Sequence, residues 1–108
     1  LKCMILGPSG QNIYPEEIEA VLNNLNYVVD SLVIEDNGGL TALIYPDYHQ
    51  GELDGMDREK FLSRIEGYLP EVNKELPNYA QIRKMEFLPE DFERTPKRSI
   101  KRYLYQRN

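Results

Sequence analysis

Tryptophan is absent from this 108-residue chain, and cysteine and histidine occur once each, as Cys3 and His49. A single cysteine cannot build an internal disulfide framework, and it points to a reduced, cytoplasmic setting. A single histidine with no neighbouring cysteine makes no metal site; His49 stands in a polar stretch and reads as a solvated loop residue. No apolar run approaches the roughly 20 residues of a membrane helix. The longest, near Tyr27–Ile34, is interrupted by Asp30 and Ser31. No signal peptide is visible. A methionine start is lacking too, and Leu1–Leu6 already reads as a strand, which suggests a segment of a longer protein.

What remains is enough for one domain, residues 1–108, with a modest core. Hydrophobic residues make up 41% of the chain in a varied mixture, so it folds rather than staying disordered. The net charge of -5 is unevenly spread. Six of the 13 basic residues (Arg94, Lys97, Arg98, Lys101, Arg102 and Arg107) fall after Glu93, and none of the 18 acidic ones does. A cationic tail therefore follows an acidic body. Such a tail either pairs with the body's own acids or meets a phosphate-bearing ligand or an acidic partner face. Composition leaves both open. Tyr103 and Tyr105 could stack on bases, but the acidic remainder argues against nucleic acid, whose binding leans on phosphate neutralisation.

The pattern along the chain predicts an α+β domain with a small mixed or antiparallel sheet. Lys2–Leu6 and a strand near Gln11–Tyr14, joined through Gly7-Pro8-Ser9-Gly10, form an opening β-hairpin. Pro15 suits the first position of a helix, where its missing N–H costs nothing. Glu16, Glu17 and Glu19 favour the positive end of its dipole. Ile18, Val21, Leu22 and Leu25 give it one apolar stripe, and Asn23, Asn24 and Asn26 mark its end. Tyr27–Glu35 and Leu40–Tyr45 read as strands joined by the turn Asp36-Asn37-Gly38-Gly39. A polar loop is expected over Pro46–Met56. A helix follows from Asp57, its cap, with Phe61, Leu62, Ile65 and Leu69 on one face. A short second helix runs from Pro70 to about Leu76. Gln81–Leu88 reads as a strand in which Ile82, Met85 and Phe87 alternate imperfectly. After a loop at Pro89–Arg94, Ile100–Tyr105 is expected to make a last helical turn or two.

Two segments stand out. Gly10-Gln11-Asn12-Ile13-Tyr14-Pro15-Glu16-Glu17-Ile18-Glu19 is a glycine turn leading through a strand into a proline-started helix. It is either a plain turn and cap or a place where the backbone lies close to a ligand. The second, Phe92–Leu104, carries the basic tail, whose cations could stabilise charge on phosphate oxygens or simply pack.

Together the two segments resemble the C-terminal domain of acyl-adenylate-forming (AMP-binding) enzymes, most of all the long-chain fatty-acid–CoA ligases. The first is similar to that family's opening signature. Thr95, Ile100 and Arg102 match its closing signature, Thr-x-x-Gly-Lys-Ile-x-Arg, about 85 residues later. The resemblance implies the mobile lid of a larger ligase whose N-terminal domain lies upstream, with the hinge just before Lys2. It implies two steps. ATP and a carboxylic acid give an acyl-adenylate and pyrophosphate; the small domain then rotates, and the thiol of coenzyme A takes the acyl group. Mg2+ is expected with ATP, and the domain by itself is expected to be inactive and to bind no cofactor or metal.

By the same resemblance, Ser9, Gly10 and Gln11 match the loop that faces the CoA pantetheine, and Thr95 and Arg102 are phosphate-contacting positions. The family's glycine falls on Arg98 and its catalytic lysine on Ser99. In the family that lysine reaches the carboxylate and α-phosphate, whereas serine carries no charge. Lys97 and Lys101 stand two residues to either side. On an extended strand both would point the same way as Ser99, so either is a candidate substitute. The alternative is a non-catalytic ligase-like domain that binds a nucleotide, CoA or a partner protein.

Overall fold

The computed structural model describes residues 3–107, so the sequence expectations for Leu1 and Lys2 lie outside it. Strand β1 (Ile5–Leu6) pairs antiparallel with β2 (Asn12–Ile13), Ile5 opposite Ile13 and Leu6 opposite Asn12. Helix α1 (Pro15–Leu22) begins on its proline with Glu16 and Glu17 in the first turn, and it buries Ile18, Glu19 and Leu22. Next comes a long hairpin of β3 (Val28–Asp36) and β4 (Gly39–Pro46). Its turn places Asn37 at φ 53 and Gly38 at φ 78. Two positive φ values in a two-residue loop match the right-handed twist of the strands they join.

The third strand of this sheet, β5 (Ile82–Phe87), runs parallel to β4, which gives the order β3-β4-β5. A parallel neighbour needs a long crossover. Here α2 (Tyr48–Leu53), α3 (Arg58–Glu66), α4 (Leu69–Lys74) and a 3-10 turn at Asn78–Ala80 supply it. The result is the expected α+β domain with a small mixed sheet, packed helices and an opening hairpin.

Both faces of the sheet are covered. Leu40, Ala42 and Ile44 of β4 and Val33 of β3 pack with Ile18, Leu22, Phe61, Ile65 and Val72 from the helices. The other face presents Leu32, Ile34 and Leu43, and Phe92 closes over it with Leu88, Ile100 and Tyr105 beside it. Burial on two sides explains the near-continuous apolar runs of β3 and β4. Residues 88–105 thus cover this face through Leu88, Phe92, Ile100 and Tyr105. Phe92 is only 4% exposed, and its ring meets Tyr105 edge-on with centroids 5.2 Å apart.

Two expectations need correction, and one irregularity finds its cause. The stretch Pro46–Met56 is not a loop throughout, because it holds α2, and the exposed His49 lies on this helix. Asp47 caps α2 by accepting the Gln50 N–H at 3.1 Å. Gly51 is buried in α2 because a Cβ there would lie 2.6 Å from Cδ1 of Phe61. The β3 strand begins one residue late, since Tyr27 at φ 72 belongs to the turn before it. In β5 the imperfect alternation is a bulge. Leu40 pairs with Ile82 but Thr41 pairs with Lys84, so Arg83 is an extra residue. Ile82 and Met85 thereby reach the same core despite their odd spacing.

Candidate functional site

The first candidate loop is held by its own backbone. The Gly7 N–H donates to the Gln11 carbonyl at 2.7 Å, and the Gly10 N–H donates to the Gly7 carbonyl at 3.1 Å. The Gln11 side-chain oxygen accepts from the Ser9 N–H at 3.1 Å. Gly10 sits at φ 85, and a Cβ on it would have no neighbour within 4 Å. Its left-handed backbone asks for glycine by itself, and the open space beside it leaves room for close approach. Ser9 and Gly10 are exposed and Gln11 is half-buried. This loop overlies the β3–β4 turn, where Gly7 and Pro8 share a small cleft with Glu35, Gly38 and Gly39.

The second candidate is a tight hairpin at the other end of β3. The Lys101 N–H donates to the Glu93 carbonyl at 2.9 Å, Arg94 pairs with Ile100, and the Thr95 N–H donates to the Ser99 carbonyl at 2.8 Å. The loop between is Pro96-Lys97-Arg98, and the Arg98 N–H returns to the Thr95 carbonyl at 2.8 Å. Proline fits the second position of such a turn, and the fourth residue must be left-handed before pairing resumes. That residue is Arg98, at φ 70. The glycine of the closing signature therefore corresponds to a backbone requirement, and arginine meets it under strain. Thr95 also supports the loop, its Oγ1 accepting the Ser99 N–H at 3.2 Å. Replacing Arg98 with glycine removes about 1–2 kcal/mol of left-handed strain and adds about 0.5–1 kcal/mol of chain entropy. Thermal unfolding of the 108-residue chain should show Arg98→Gly raising Tm by roughly 3–6 °C. A lowered Tm would mean that the arginine side chain contributes more than the strain costs.

This hairpin separates Lys97 from Lys101. The expectation that both lie on one extended strand with Ser99 fails, because Lys97 is in the turn. Lys101 keeps the relation: Ile100 between them packs inward, so Ser99 and Lys101 share the outer side.

The tail's six basic residues divide into two groups. Arg94 donates to Asp30 at 2.6 Å, to Asp91 at 3.0 Å and to the Arg98 carbonyl at 3.2 Å, which ties the hairpin to the start of β3. Arg107 bridges Glu86 at 2.7 and 2.8 Å and Asp36 at 3.0 Å. Its guanidinium holds the Glu86 carboxyl down to a pKa of about 2. Arg102 grips Glu19 of α1 through both nitrogens, one at 2.9 Å. Glu19, whose side chain is 8% exposed, also accepts the Val33 N–H at 2.8 Å. Burial pushes the Glu19 carboxyl above its ordinary range even though Arg102 and the Val33 N–H pull it down. Hydrogen bonding to Glu19 raises the Arg102 pKa. The candidate phosphate contact Arg102 is thus also a structural cation. Among the described residues, Lys97, Arg98 and Lys101 form no ion pair. Of the carboxylates that anchor the tail, Glu19 closes the opening signature, whereas Asp30, Asp36 and Glu86 carry no motif. Only the acidic excess of the body hinted at them.

Elsewhere little gathers chemistry. Cys3 is a half-buried free thiol, and among the described residues no group of three or more His, Cys, Asp or Glu side chains could hold a metal. No helix there is long and apolar enough to cross a membrane. A cleft of about 240 Å³ lies between β1 and β3 beside Cys3, Glu35 and Arg102.

Comparison with known proteins agrees with this geometry. The model of the AMP-binding enzyme C-terminal domain matches residues 4–108. Solved structures share the fold. The adenylation domain of a carboxylate reductase from Mycobacterium chelonae superposes with a TM-score of 0.76 at 18% identity, over 94% of this chain and 17% of that one. The fatty acyl CoA synthetase of Mycobacterium tuberculosis gives 0.62 at 24% identity, over 94% and 18%. The O-succinylbenzoate coenzyme A synthetase of Bacillus subtilis gives 0.63 at 22%, over 94% and 18%. The chain thus spans less than a fifth of these three structures. No curated protein matches it by sequence.

Proposed function

This chain belongs to the AMP-binding enzyme C-terminal domain family, and from that membership we propose that it is the lid domain of an acyl-CoA synthetase of the fatty-acid–CoA ligase kind. Its partner is its own large N-terminal domain, and the pair works in the cytoplasm. In the first pose a carboxylate oxygen attacks the α-phosphorus of ATP, with Mg2+ accompanying the nucleotide, and pyrophosphate leaves. In the second the sulfur of CoA attacks the acyl carbonyl and AMP leaves. In the first pose the Thr95–Ser99 turn, with Thr95 and Arg102, faces the phosphates. In the second Ser9, Gly10 and Gln11 face the pantetheine. The domain by itself is inactive, because it closes a site it does not contain.

One observation carries this reading: the two loops sit at opposite ends of β3. The first lies by Glu35 and Gly38, and the second is anchored at Asp30. Five strand steps separate Asp30 from Glu35, about 17 Å, so one partner site meets both loops only if the domain turns between steps. Ser99 at the family's lysine position favours a second reading, a ligase-like domain that binds nucleotide, CoA or a partner without adenylating. ATP- and CoA-dependent thioester formation by the full-length protein, over a panel of carboxylic acids and with Ser99→Lys in parallel, separates the two. Activity of the native form supports the ligase. Activity of the variant alone supports the second reading, and silence from both removes the ligase proposal.

A further inference from the structure

Resting on the ligase reading, we propose that Lys101, rather than Lys97, supplies the cation that Ser99 lacks in the adenylation step. The hairpin register carries the assignment. Thr95 stands opposite Ser99 and Glu93 opposite Lys101, with Arg94 and Ile100 paired between them. Side chains alternate along such limbs. Ile100 packs against the sheet's second core, and Arg94 turns to Asp30 at 2.6 Å. Ser99 and Lys101 therefore project together from the outer side, about 6.6 Å apart along the chain, a gap that lysine's flexible four-carbon stem can bridge. Lys97 sits in the turn, where this alternation does not apply, and Arg98 there is held left-handed at φ 70.

The ammonium of Lys101 is available. Its cross-strand neighbour Glu93 is the nearest acid in register, yet the two form no ion pair, whereas Arg94, Arg102 and Arg107 are committed to Asp30, Glu19 and Glu86. As the carboxylate oxygen bonds to the α-phosphorus and the bond to pyrophosphate breaks, negative charge builds on the oxygens around phosphorus. The lysine stays protonated and offsets that charge by position. No proton or electron passes through it.

The two half-reactions of the full-length protein test this separately. Carboxylate-dependent exchange of pyrophosphate into ATP reports adenylation, and thioester formation from a synthetic acyl-adenylate plus CoA reports the second pose. Lys101→Ala should lower exchange by about 100-fold or more and leave the second half-reaction little changed, which also shows that the variant is folded. Lys97→Ala should alter neither. Adding Ser99→Lys to Lys101→Ala should restore exchange, because it returns an ammonium to the same side of the hairpin. Exchange that survives Lys101→Ala, or is lost in Lys97→Ala instead, overturns the assignment while the ligase reading stands. A native protein that transfers from the acyl-adenylate but never exchanges also overturns it. A native protein silent in both half-reactions removes the ligase reading itself.

Discussion

Arg102→Ala should destabilise the domain by about 3–5 kcal/mol, the cost of leaving a buried charge without its partner. Glu19 would keep only the Val33 N–H, at 2.8 Å, in a position where its side chain is 8% exposed. The loss should depend on pH in a definite direction. Burial already raises the Glu19 carboxyl above its ordinary value of 4.5, and removing the guanidinium takes away the opposing influence. A carboxyl whose folded pKa lies above its unfolded one contributes stability below the unfolded value and loses it as pH rises through the folded one. The deficit of Arg102→Ala against the native chain should therefore be large at pH 7 and shrink toward pH 4, as urea unfolding at the two pH values would show. A deficit independent of pH would mean that lost packing, not the stranded carboxylate, sets the cost. Poor adenylation by an Arg102 variant would thus be ambiguous as evidence of phosphate contact until stability is measured beside it.

Phe61→Ala is expected to cost a similar amount, about 3–5 kcal/mol. The Phe61 ring is 2% exposed and lies between Tyr27 and Tyr48, with centroids 5.4 and 5.8 Å away. It also rests on Gly51, so truncation opens space on several sides that a packed sheet and three short helices cannot readily collapse into. Domains of this size have about 5–15 kcal/mol in all, so the variant should unfold at a much lower denaturant concentration with nearly unchanged slope. A shift below about 1 kcal/mol would show that the helical layer repacks around the gap.

Phe61 also shows what the sequence could and could not reveal. Its own stripe, with Ile65 four residues on, was legible because helical periodicity is local. The helix that meets it was not. The stretch around α2 is polar and short, and its buried glycine looks like a loop signal until Phe61 is seen against it. The Asn37-Gly38 turn and the proline start of α1 were readable for the same local reason. The bulge at Arg83 was visible only as a fault in alternation, since it depends on pairing with β4. The tail shows the limit most clearly. Whether its arginines meet the body or a ligand depends on partners such as Asp30 and Glu19, which lie 64 and 83 residues away along the chain. Composition could count those acids without saying which would face the tail. Lys97 and Lys101 looked equivalent beside Ser99 until the turn at Pro96 set them apart.

The covering of the sheet's second face by residues 88–105 has a consequence for how the chain is made. Ribosomal synthesis runs from the N-terminus at about 5–20 residues per second. The hairpin of β3 and β4 leaves the ribosome well before the segment that shields Leu32, Ile34 and Leu43 does. For that interval the emerged hairpin shows this apolar face to water, which is the form in which a newborn domain sticks to its neighbours or to a chaperone. Any change that delays the docking of Phe92 would lengthen the interval, and would first be noticed as a poor yield of soluble protein.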